Sequence, residues 1–120
     1  MFFKTIGLVS ALVLVSVPAF ASNCSEPIAP AAIDGKTATT AQMNGMHDDV
    51  MTFIKQSDDY QLCLIGELKA ANAAAVKAKK DPDPALQADT EAKIQANQTL
   101  KVKVGGEFNA SVGDYKKAHP

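Results

Sequence analysis

A chain of 120 residues with 12 lysines against 13 acidic side chains carries a net charge of −1, so it has no electrostatic footing for nucleic acid or an anionic membrane surface. Arginine and tryptophan are absent, which removes the side chains most used for bidentate phosphate recognition and for interface anchors. A length this small suits one domain with a modest core.

The first residues read as an export signal. Lys4 lies in a short cationic start, residues 6–17 are almost wholly apolar, and Pro18-Ala19-Phe20-Ala21 closes the run with small residues where a signal peptidase reads them. A membrane anchor needs roughly 20 apolar residues, and this run is shorter and stops at a proline. Lipidation of Cys24 wants small residues directly before it, where Asn23 stands. The expectation is a signal peptide over 1–21, a mature protein beginning at Ser22, and a periplasmic or secreted location. No later segment is apolar enough for membrane insertion after cleavage.

Two cysteines, Cys24 and Cys63, survive that cleavage. In an oxidising compartment such a pair in a small domain is expected to form a structural disulfide. Redox catalysis calls for closely spaced cysteines such as Cys-x-x-Cys, and none is present.

Residues 22–38 carry Pro27, Pro30 and Gly35, which predict an extended lead-in rather than a helix. Thr39, with Gln42 three residues on, makes a capping box that opens a first helix over 39–80. Met43, Met46, Val50, Phe53, Ile54, Tyr60, Leu64 and Leu68 follow at helical spacings. The alanine-rich stretch 70–78 extends the helix but buries little area, so that end is expected to be thinly packed.

Asp81-Pro82-Asp83-Pro84 breaks the helix and starts the next, with Asp83 as N-cap and Pro84 at its first position. The second helix is read over 84–118, with Leu86, Ile94, Val104, Phe108, Val112 and Tyr115 on one stripe at 100° per residue. Asn97 and Lys101 also fall on that stripe, the first as a polar group able to fix register, the second able to snorkel to water. Within 99–115 the alternation of Leu100, Val102 and Val104 before Gly105-Gly106 also fits a β-hairpin. The stripe passes the glycines in phase, and helix is favoured. A turn as short as 81–84 folds the two helices back on each other.

Cys24 with Pro27 and Pro30, Ala38-Thr39, Gln42-Met43, Tyr60-x-x-Cys63-Leu64, Asn97, Phe108-Asn109 and Tyr115-Lys116 together resemble a loose group of uncharacterised exported helical proteins of Gram-negative bacteria. The resemblance implies helix through 99–115 and carries no activity.

Among side chains that could do chemistry, Met43, Met46, His47 and Met51 are the cluster with ligand character. Thioethers beside an imidazole suit copper(I). Met43, Met46 and His47 can share a helix face, yet methionines at this spacing also serve as core filler. Asp48-Asp49 and Asp58-Asp59 are neighbours about 100° apart on a helix, so neither pair converges on one ion unaided. No serine sits in a nucleophile elbow for His47 to serve.

The expected fold is all-α, a single domain over 22–120. It is an antiparallel two-helix hairpin, coiled-coil-like, with the proline-containing lead-in pinned by Cys24–Cys63. The expected function is non-enzymatic: a structural or protein-interaction protein, bound to an unknown protein partner or to itself. The alternative is a periplasmic copper-binding protein using Met43, Met46, His47 and Met51.

Overall fold

The computed structural model describes residues 22–120, and the expected signal peptide over 1–21 lies outside them. Helix α1 spans Thr40–Lys77. Its capping box forms as read: the Gln42 N–H donates to Thr39 Oγ1 at 3.2 Å, and the Thr39 N–H donates to Gln42 Oε1 at 2.8 Å. The helix stops at Lys77 rather than Lys80, because Lys79 turns into the left-handed region at φ 58°. The Lys80 N–H then reaches back to the Ala75 carbonyl at 2.9 Å and the Lys79 N–H to Val76 at 3.0 Å. This doubly bonded ending satisfies carbonyls that the prolines ahead leave without helical donors.

Helix α2 spans Pro84–Ala118, capped by Asp83, which accepts from the Ala85 N–H at 2.9 Å. The disputed segment 99–115 lies wholly within it, and no strand occurs among the described residues. A Cβ placed at Gly106 meets nothing within 4 Å. Gly106→Ala is therefore expected to stabilise the protein by about 1 kcal/mol in urea unfolding, whereas loss of stability would indicate the glycine turn of a hairpin.

The fold is the all-α hairpin that the pattern predicts, with α1 and α2 packed antiparallel. Met43, Met46, Val50, Phe53, Ser57, Tyr60 and Leu64 are the buried residues of α1, and their steps of three and four are a heptad seam. The α2 side differs from expectation. Its buried residues are Thr90, Asn97, Val104 and Ser111, each seven apart, while Leu86, Ile94, Phe108, Val112 and Tyr115 are only half-buried beside them. A stripe drawn at 100° per residue drifts about 20° per heptad from the seam of a coiled pair.

The lead-in closes one side of the hairpin. Ala29 and Ile33 pack on a cluster of Met46, Val50, Phe53 and Val104, joined by Ile54, Leu100 and Phe108. At its far end Asp34 turns the chain, its carbonyl accepting from the Ala38 N–H at 3.0 Å and its side chain from the Lys36 N–H at 2.9 Å. Gly35 is buried there against α2, where a Cβ would lie 1.9 Å from the Ser111 carbonyl oxygen. The Ser111 hydroxyl donates to the Ile33 carbonyl at 2.6 Å beside it. At the alanine end, residues 65–89 contribute no buried side chain.

Candidate functional site

Helix α1 divides the methionine cluster. Met43 and Met46 lie in the seam and are buried. His47 stands exposed at its rim, with its Nδ1 3.2 Å from Asp48 Oδ1 and its ring centroid 5.9 Å from that of Phe108. Met51 faces solvent. Copper(I) could recruit the two buried thioethers only by opening the core. Titration of the folded protein is expected to give no one-to-one copper(I) complex. A complex lost in Met46→Ala or His47→Ala with helicity intact would place a soft-metal site here.

The acidic pairs also separate. Asp59 pairs with Lys55 at 2.8 Å along its own helix, while Asp58 reaches across to Lys101 of α2. Lys101 thus leaves the seam for its edge.

Cys24 and Cys63 are bonded, with Cα atoms 5.8 Å apart. Their sulfurs and a Glu67 carboxylate oxygen lie within 4.8 Å of one another. The bonded sulfurs offer no thiolate, so this trio does not form a ligand set for a soft metal. Glu67 works instead as a clamp on the start of the lead-in, accepting from the Ser22 hydroxyl at 2.7 Å and the Asn23 N–H at 2.8 Å.

Three clefts flank the lead-in, and the two larger ones carry the titratable side chains nearest the disulfide. One of about 360 Å³ lies between Ser22, Leu64, Glu67, Leu68, Leu86 and Lys93. Its charges are already engaged, Lys93 with Asp89 at 2.7 Å and Glu67 with the lead-in. The other, about 500 Å³, runs beside Glu26, Pro27, Ile28, Gln56, Asp59 and Tyr60. Burial pushes the Tyr60 hydroxyl pKa up, and the Glu26 carboxylate adds to the shift. Neither cleft brings a nucleophile and a base together.

In mid-seam a polar layer crosses the hairpin. Asn97 donates to Ser57 Oγ at 3.2 Å and accepts from Gln61 Nε2 at 2.8 Å, so the buried amide is satisfied on both sides. Such a layer fixes which residues of α1 and α2 stand opposite each other.

Large apolar side chains stand exposed at Ile28 of the lead-in, at Val102 of α2, and four times along the back of α1. Met51 is 54% exposed, Leu62 67%, Ile65 36% and Val76 67%, all on the face turned away from the seam. These apolar side chains stand on an outer face that the expected stripe did not include. The molecule is thus a disulfide-pinned helical hairpin. No known protein family matches the chain, and neither a curated protein nor a solved structure does.

Proposed function

We propose that this is a small non-enzymatic protein of the periplasm or cell exterior that works by presenting the back of α1 to another protein. The observation that carries this reading is the exposed line Met51, Leu62, Ile65 and Val76 on a helix whose opposite face is committed to the core from Met43 to Leu64. Two further features support it. The disulfide suits an oxidising compartment, and no helix among the described residues is long and apolar enough to cross a membrane. The lead-in acts as a strap: it stiffens the hairpin from one side and leaves the other face of α1 free.

The test uses tagged protein, exported and recovered oxidised, as bait in an envelope extract, beside a Leu62→Glu variant of equal helicity. A retained protein that Leu62→Glu no longer holds is the expected result. Retention that ignores Leu62→Glu, or retention of no protein, further copies of the chain itself included, contradicts the reading.

A further inference from the structure

The back of α1 carries a second repeat. Positions 51, 55, 58, 62, 65, 69, 72 and 76 step by four and three in strict alternation, which places them along one line of the helix over about 38 Å at 1.5 Å per residue. Their identities are Met51, Lys55, Asp58, Leu62, Ile65, Lys69, Asn72 and Val76.

Turned end for end about a point midway between Leu62 and Ile65, this line matches itself. Leu62 meets Ile65, Asp58 meets Lys69, and Met51 meets Val76. Every apolar residue faces an apolar one, Asp58 and Lys69 have opposite signs, and Lys55 faces the neutral amide of Asn72. The alternation also sets each four-step position against a three-step position, as antiparallel seams require. A parallel pairing would put Asp58 on Asp58 and Lys69 on Lys69, at a cost in repulsion.

We infer that the partner of this face is a second copy of the chain, docked antiparallel along α1 about a two-fold axis between Leu62 and Ile65. This rests on the reading of the back of α1 as an interaction surface. A two-fold interface is self-complementary by construction, so the match of the line with its own reverse points to this occupant rather than to an unrelated helix. Asp58 keeps its Lys101 partner and gains Lys69 of the second copy, while Leu62 and Ile65 lose their contact with water. A seam confined to one helix per copy is short by the standard of permanent dimers and belongs with exchanging ones.

Register and direction are read by cross-linking. Met51→Cys and Val76→Cys are made separately in the full chain, exported with the native disulfide formed, then mixed and oxidised. Cross-linked dimer is expected in the mixture and in neither variant alone, because identical positions stand about 38 Å apart in the antiparallel pair. Sedimentation equilibrium is expected to show reversible dimer, weakened tenfold or more by Leu62→Glu and weakened by Lys69→Glu, which sets Glu against Asp58. Cross-linking of Met51→Cys with itself would overturn the antiparallel pairing. A chain that is monomeric at every concentration, or whose dimer ignores Leu62→Glu, overturns the second copy as partner. If such a chain still retains an envelope protein through Leu62, the functional reading stands without this one.

Discussion

Phe53→Ala is expected to lower stability by about 3–5 kcal/mol. Phe53 is 1% exposed and belongs to the cluster where all three parts of the fold meet: Met46 and Val50 of α1, Val104 of α2, and Ala29 and Ile33 of the lead-in. Deleting the ring removes its burial from water and opens a cavity that three separate segments would have to close in concert. For a domain of this size the melting temperature should fall on the order of 15–30 °C. A loss below about 1 kcal/mol would mean that the lead-in and α2 do not converge on this residue.

Cys24→Ser is expected to lower stability by about 4 kcal/mol in the chain-entropy account, since the bond closes a loop of 39 residues. The loss should be uneven along the chain. The lead-in has two anchors: the disulfide with Glu67 at one end, and the contact of Gly35 and Ile33 with Ser111 at the other. Opening the first should expose residues near Pro27 to proteolysis while Ile33 and Ala38 stay docked and helicity is retained. Complete unfolding would show that α1 and α2 have no packing of their own. An unchanged melt with the lead-in still protected would remove the disulfide from any structural role.

The fold was legible because its punctuation is local. Thr39 and Gln42 define a helix start, Asp83 and Pro84 another, and the prolines between them force the reversal whatever the tertiary context. The disulfide followed from there being two cysteines and a short domain. The seam was legible only in part. Asn97 falls on the expected stripe and is buried there, but Ser57, Thr90 and Ser111 are polar, so a search for apolar periodicity passes over them, although they complete the spacing. Ser57 in particular fills the gap between Phe53 and Tyr60 in a run of alternating three and four steps. A rule based on spacing rather than on side-chain type finds it.

The exposed apolar line on α1 was missed for the converse reason. Leu62, Ile65 and Val76 are apolar and exposed, and a single sequence does not say which of two apolar lines on one helix faces the core. That choice is set by the partner strands of chain. Asn97 and Gln61 lock α2 on one flank, Cys24 fixes the lead-in on the other, and what lies opposite is left open. Met43, Met46, His47 and Met51 are close in sequence, which leaves both a soft-metal cluster and core methionines with His47 at the rim open to a sequence reading. The heptad seam cuts between them, taking two inward and leaving two outside.

Those same methionines give the most direct test of a helix with one committed and one available face. Peroxide oxidation of the exported protein, followed by peptide mass mapping, reads Met43, Met46 and Met51 separately on the same helix. In dilute protein Met51 should oxidise at close to the rate of an unfolded peptide, with Met43 and Met46 slowed at least tenfold. When the back of α1 is occupied at high protein concentration, Met51 alone should become protected. Equal rates at the three positions, or protection of Met51 together with rapid oxidation of Met46, would contradict the assignment of the two faces.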